Sequence, residues 1–477
     1  MKKIIVLFLI FVMVISILVS CGTDSEKNDD SDKNDDVVFE ENIDLDGAEV
    51  IFRTLLAVTS SVFYPDIAEN ARGDKIRDRY KDTDEKFNCV MNIQTYKEAD
   101  GSKVFITPIL AGIHYADFFE SNPKFIFSIY KAGGIVPISD VWDEKTIHNG
   151  KWGPDNVLKT ITLRGDLLGV NSGYWGIPIP NMENVLYVNN KLLFDLQQPH
   201  PHELNEQGNW DWAHYRQIGE AVVNSQDDEG KNYNFVGLNN NMVSSAVLSN
   251  GAKYAKDNGD GTYTFSLNDE KTYKALSWLR EMFEMKLIKT AVNEKNFTDK
   301  KDTAFYVMPV WWGYRYNEKE NWPINAFSEG GYSWSQFPKG PDGSDNDAKS
   351  GGAFINDRFV SITSSGFIEP ENIGKIMDFI FDPLDGEEKD TWKKDFKRDH
   401  FYDSSDYITT KTDHSYEVYT NMLENANLDM IMFMESKRDA IYTALKSAVT
   451  GSKTPAETIE ALVSGCQAEL DNFSNYE

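Results

Sequence analysis

An apolar run from Ile4 to Val19, broken only by Ser16 and preceded by Lys2 and Lys3, governs where this chain can fold. Sixteen residues fall short of the ~20 that a spanning helix needs. A basic start followed by a short apolar stretch is the pattern of an export signal. No later segment is apolar enough to span a membrane, and the mean hydropathy of −0.47 excludes a polytopic membrane protein. The remainder is therefore expected to fold in water outside the cytoplasm.

The run ends Leu18-Val19-Ser20-Cys21-Gly22, which resembles the bacterial lipobox. That resemblance implies cleavage before Cys21, giving a signal peptide over 1–20, and lipid on the Cys21 thiol. Residues 21–43 are mostly Asp, Glu, Asn, Lys and Ser, with little to bury, and read as a disordered acidic tether.

Charge excludes one class of partner. Asp and Glu number 76 against 48 Lys and Arg, a formal net charge of −28. Nucleic acid requires a basic surface, so it is not expected as a partner. Three cysteines are too few for a disulfide scaffold or a cysteine-rich metal centre. With 41% hydrophobic and 13% aromatic residues, the chain can build a substantial core, and 477 residues suggest two or three domains.

From Asp44 onward strands and helices alternate. Ala48 to Phe52, Lys86 to Gln94 and Tyr115 to Phe119 read as the first three strands. Trp212, Tyr215, Ile218 and Val222 recur at helical spacing behind Asp211, a suitable N-cap. Asn268 or Asp269 could cap a second such helix. Thr454-Pro455-Ala456-Glu457 is a capping box with proline at the first helical position, opening a helix through Ile459, Leu462, Cys466, Leu470 and Phe473. Asn258 to Gly261 reads as a hairpin turn. The fold class is α/β with a largely parallel sheet, and ligands of such sheets bind beyond the carboxyl ends of the strands.

Five segments, in order, resemble the extracellular solute-binding proteins of ABC importers, in their carbohydrate-oriented group. They are Ala132 to Asp140; Tyr174-Trp175-Gly176-Ile177-Pro178 through Leu186 to Phe194; Asn209-Trp210-Asp211-Trp212; Thr303-Ala304-Phe305-Tyr306-Val307 through Trp311-Trp312; and the Thr454 capping box. Two departures are Val188, where a second Tyr is common, and Pro309 to Gly313, which replaces a Gly-rich turn. The resemblance implies a two-lobed, type II periplasmic-binding-protein-like fold. Its lobe 1 would span 44–180 and lobe 2 181–349, with a return through lobe 1 over 350–390 and a helical completion of lobe 2 over 391–477. Crossings are expected near Ile177 to Met182 and near Ser350 to Phe359. The implied function is capture of a sugar or oligosaccharide by cleft closure, and delivery to permease subunits by a lipid-anchored monomer.

Sugar recognition needs flat aromatic faces and hydrogen-bonding groups. Trp311 matches the family position whose aromatic packs on a sugar ring. Trp312 follows it and would face the opposite way on an extended segment. Trp175 precedes the first crossing. Asn181, Glu183 and Asn184 follow it, just before an expected helix start. Arg53 and Thr54 lie past the first strand, and Asp117 lies in the third. Asn239 to Asn241, Arg315 and Arg358 complete the ligand-binding candidates.

No nucleophile elbow, zincin motif or phosphate loop occurs, so no catalytic residue, cofactor or metal is expected. His200-Pro201-His202 is the one close His pair, and the Asp-rich stretch Gln226 to Gly230 lacks the ligand spacing of an EF-hand. Cys89 and Cys466 read as buried free thiols. Two other readings remain: a sensory lipoprotein reporting to a membrane kinase, and a tethered glycoside-active enzyme.

Overall fold

The computed structural model describes residues 43–56, 71–153, 155–171, 181–312, 331–382, 413–426, 434 and 436–474. From Asn42 onward the chain forms one compact unit.

The first lobe opens with β1 (Ala48–Leu56), whose Val50, Phe52, Thr54 and Leu55 are all buried. Such a near-continuous buried run belongs to a sheet covered on both faces. The helix Ala71–Phe87 leads to β2 (Cys89–Lys97), and the helix Lys103–Leu110 leads to β3 (Phe118–Ser121). Both strands pair parallel with β1. The helix Pro123–Lys131 then leads to β4 (Ile135–Val136).

The chain passes to the second lobe through β5 (Met182–Glu183). There β6 (Val185–Asn189), β7 (Asn234–Gly237), β8 (Ile288–Lys289), β9 (Thr303–Met308) and β10 (Tyr332–Ser335) form one sheet. Their order is β8-β7-β9-β6-β10. The chain returns through β11 (Phe354–Ile355), which pairs antiparallel with β5, and enters lobe 1 as β12 (Phe359–Thr363). The first sheet is then β2-β1-β3-β12-β4. The two sheets share one plan. In each, the fourth strand is antiparallel to the third and is the strand that has just arrived from the other lobe.

Aromatic packing fixes the cores. Phe52 stacks on Phe118 with centroids 4.4 Å apart in lobe 1, and Tyr187, Tyr332 and Trp334 are fully buried in lobe 2. Burying each such side chain contributes about 1.5–3 kcal/mol. The C-terminal helices pack on lobe 2. Arg280 Nε donates to the Ala448 carbonyl at 2.9 Å, and Gln467 Nε2 to that of Tyr263 at 3.0 Å.

The structure departs from the sequence expectations at four places. β2 begins at Cys89 rather than Lys86, because the preceding helix continues to the buried Phe87 and Asn88 turns the chain at φ 45°. The third strand begins at Phe118. No helix follows Asn184: β6 intervenes, and the helix Asn190–Asp195 starts later, capped by the Asn189 side chain accepting from the Leu192 amide. The helix opened by the Thr454 box ends at Glu460 and resumes over Val463–Ser474.

Candidate functional site

The carboxyl ends of β7 and β9 meet at one edge of lobe 2. Gly237 closes β7 where a Cβ would stand 2.3 Å from the Val292 carbonyl oxygen, so only glycine fits there. Asn239 follows. Its Oδ1 accepts from the Met242 amide at 2.8 Å, capping the helix Asn240–Ser249, and its Nδ2 donates to the Val307 carbonyl at 2.9 Å. This places Asn240 and Asn241 at the first helical positions, beside the end of β9.

Pro309 has no amide hydrogen and ends β9. A helical turn begins at Val310 and carries Trp311 and Trp312. The two indoles stack, with centroids 4.8 Å apart and planes 23° apart. The expectation that they face opposite ways is therefore corrected: it assumed an extended segment. Trp311 is 37% exposed, whereas Trp312 packs against the lobe 2 core. Beneath Trp312 lies a pocket of about 340 Å³ lined by Asn240, Asn241, Glu294, Tyr306 and Lys446 among others. Aromatic faces beside amides and charged groups suit a polyhydroxylated ligand.

The crossings stand next to this edge. Asn181 Nδ2 donates to the Asn356 carbonyl at 2.9 Å, and the Asn356 amide returns a bond to the Asn181 carbonyl at 3.0 Å. Asn181 Oδ1 accepts from the Trp311 amide at 3.3 Å. Glu183 accepts from Asn356 Nδ2 at 2.9 Å and from Asn241 Nδ2 at 2.8 Å. Burial raises the Glu183 carboxyl, partly opposed by these two amides and by the Arg438 charge. One residue beyond Asn356, burial pushes Asp357 up to about 6, against the Arg358 amide and Asn171 Nδ2, which donates at 2.7 Å.

The network continues into lobe 1. Arg358 Nη1 lies 3.2 Å from Glu120 Oε1. Burial works to lower the Arg358 guanidinium, but the Glu120 carboxylate outweighs it and holds it above its ordinary value. Buried Glu120 also accepts from Thr54 Oγ1 at 2.8 Å and from the Leu55 amide at 3.1 Å. These groups cluster at the carboxyl ends of β1 and the start of β12. Sequence reasoning passed over Asn356 and Asp357 as site residues, because nothing local marks them; Glu120 opens the stretch Glu120 to Pro123 beyond the third strand, where a ligand of such a sheet is expected.

The remaining candidates separate. Asp117 is fully buried, and its carboxylate accepts from the Ile51 amide at 2.7 Å, His114 Nε2 at 3.0 Å and the Phe367 amide at 3.3 Å. It is a structural carboxylate inside lobe 1, not a cleft group. Asn184 is also sealed away at φ 66°, donating to Ser244 Oγ and the Gly352 carbonyl. Thr54 is buried and acts through Glu120. Arg53 lies over the Tyr115 ring at 3.6 Å and donates Nε to the Tyr115 carbonyl; burial lowers its guanidinium. Trp175, Arg315 and Cys21 lie outside the described residues.

His200 is buried, caps the helix Pro201–Glu206 and contacts Asn190 and Ser333, while His202 pairs with Glu206. Asp227 binds the Glu229 and Lys231 amides of its own loop. Among the described residues no group of three or more His, Cys, Asp or Glu could hold a metal ion. Cys89 and Cys466 are buried free thiols, each pushed up to about 11 by burial.

No protein-family model and no curated protein sequence matches the chain. Solved structures do. The cyclic α-maltosyl-1,6-maltose binding protein of Arthrobacter globiformis superposes at TM-score 0.63 and 11% identity, covering 89% of this chain and 100% of that one. The sugar-binding protein MalE of Xanthomonas citri gives 0.61 at 13% identity, covering 89% and 98%. UgpB of Mycobacterium tuberculosis, in complex with glycerophosphocholine, gives 0.58 at 12% identity, covering 89% and 99%. At these identities the likeness establishes the architecture: the chain has the two-lobed α/β fold of solute-binding proteins.

Proposed function

We propose that this chain is an extracellular solute-binding protein that captures a sugar or oligosaccharide between its lobes and delivers it to an ABC importer. It acts as a receptor rather than an enzyme. The observation that carries the reading is the exposed Trp311, stacked on Trp312 at the carboxyl end of β9 and hydrogen-bonded through its amide to Asn181 on the crossing. Trp311 offers an apolar face to the C–H surface of a sugar ring. The amides of Asn240 and Asn241 offer partners for its hydroxyls.

Closure is a hinge motion about the antiparallel β5–β11 pair, and the ligand selects the closed state through its extra contacts there. The lipobox-like Leu18 to Cys21 supports anchoring by lipid on Cys21 at the outer face of the membrane. Among the described residues no helix is long and apolar enough to cross it.

Small-angle scattering of the chain from Asn42 onward tests the mechanism. A saccharide that binds should reduce the radius of gyration and leave the saccharide unconverted. Binding with no contraction, or with product formed, contradicts it. Mass spectrometry of Cys21 from membranes of the native host tests the anchor.

A further inference from the structure

We propose that lobe 2 carries a second, weaker site for a neutral saccharide, separate from the one beneath Trp312. It is a pocket of about 730 Å³ between the helices Trp212–Val223 and Glu270–Glu284 and the loop after β10, lined by Trp212, Gln217, Trp278 and Lys339 among others. It shares no lining residue with the pocket beneath Trp312. Its volume falls within the ~300–1,000 Å³ of small-molecule sites. The ligand class is read from these walls and does not depend on what the cleft holds.

One wall is an aromatic stack. Trp212 and Trp278 lie face to face, with centroids 4.2 Å apart and planes 6° apart. The Asn209 to Trp212 segment is pinned in place by the loop after β10. The Trp212 amide donates to the Lys339 carbonyl at 3.2 Å, and the Lys339 amide to the Trp210 carbonyl at 3.2 Å. Trp212 is buried, whereas Trp278 is half-buried and is the member that keeps accessible surface.

The indole N–H groups distinguish this pair from ordinary core. Trp210 Nε1 donates to the Gln336 carbonyl at 2.8 Å, as a buried indole should. Trp212 Nε1 is buried without an acceptor, and among the described residues Trp278 Nε1 has none either. A buried donor left unpaired is costly, and a ligand hydroxyl in the pocket supplies the missing acceptor. The exposed Gln217 side chain has no protein partner among the described residues, and adds an amide donor and acceptor.

The charged walls point to a neutral ligand. Two acids, Asp211 and Glu220, and two bases, Arg216 and Lys339, line the pocket. All four are engaged: Arg216 with Glu220 at 2.9 Å and Glu281 at 2.8 Å, Lys339 with Asp345 at 3.5 Å, and Asp211 with His214 at 2.8 Å. None of them is left over to select an anion or a cation. A flat apolar surface beside unspent neutral hydrogen-bonding groups matches the C–H face and hydroxyls of a pyranose ring.

The indole N–H signals in the NMR spectrum of the chain from Asn42 onward, isotope-labelled at tryptophan, test the site. Trp212→Phe and Trp278→Phe assign the two signals. Maltotetraose, cellotetraose and xylotetraose are the probes, each titrated to a tenfold excess over a weak Kd of about 1 mM. At least one should shift both signals saturably, and should do so equally in Trp311→Ala, which weakens the cleft. Trp278→Ala should abolish the Trp212 shift and leave saccharide binding at the cleft, read by calorimetry, unchanged. Gln217→Ala alters only an exposed side chain and should raise the Kd of this site about fivefold. No shift of either signal with any of the three probes overturns the proposal. So does a shift that vanishes in Trp311→Ala, since it would report the cleft from a distance.

Discussion

Asn356 on the return crossing donates its side-chain amide to Glu183 on the outward crossing at 2.9 Å, and Asn241 of the lobe 2 helix donates to the other Glu183 oxygen at 2.8 Å. One carboxylate thus ties both crossings to the helix that forms a wall of the pocket. Its role is to position Asn241 and Asn356, with both of its oxygens engaged by protein amides.

Removing that tie should loosen the hinge. Glu183→Ala leaves two amides without their acceptor, at a cost of about 1–3 kcal/mol in unfolding free energy. Urea titration reads the loss, and ligand affinity should fall with it. An unchanged urea midpoint would show that the tie contributes nothing.

Trp311 and Trp312 should separate recognition from folding. Trp311→Ala removes an exposed ring, so saccharide affinity should fall roughly tenfold or more while the melting temperature of the free protein holds. Trp312→Ala should lower both, because Trp312 packs into the core of lobe 2. Calorimetry and thermal melts on the two variants distinguish the roles.

Asp357 gives the hinge a pH signature. Burial raises its folded-state value to about 6, above the ordinary value of 3.8. Between those values the folded state holds a proton that the unfolded chain has released, so acidification favours folding through this group. The contribution is complete below about pH 4 and is lost as pH rises through 6. The stability difference between wild type and Asp357→Asn should therefore shift toward the wild type as pH falls from 7 to 5. A difference independent of pH would contradict the assignment.

Asp117 predicts the opposite of a ligand contact. Asp117→Ala strands the Ile51 and Phe367 amides and His114 inside lobe 1. The expected loss is about 3 kcal/mol or more of stability. Asp117→Asn, which keeps an acceptor, should lose less and bind saccharide with unchanged affinity once folded.

Local patterns made part of this legible. Caps at Asp211, Asp269 and Thr454 each act as their side chains require, accepting from His214, Thr272 and Glu457 amides. The first strand was readable for the same reason: a strand or cap is written within a few residues. The two-lobed class came from the resemblance of five ordered segments to a family, not from any local pattern. The network at the site is not. Glu183 meets Asn241 across 58 positions and Asn356 across 173, and Arg358 meets Glu120 across 238. No local periodicity records such pairings. The stacking of Trp311 on Trp312 was missed because one proline converts a strand into a helical turn, which reverses the facing of neighbours.

The most direct test of the account is calorimetric titration of the chain from Asn42 onward with mono-, di- and oligosaccharides, using glycerophosphodiesters as the contrasting class. The account predicts saturable binding of one carbohydrate class, a melting temperature raised by that ligand (about 2.7 kcal/mol of added stability at a hundredfold excess over Kd) and weakened binding in Trp311→Ala. Binding confined to glycerophosphodiesters, or carbohydrate binding indifferent to Trp311, would contradict it.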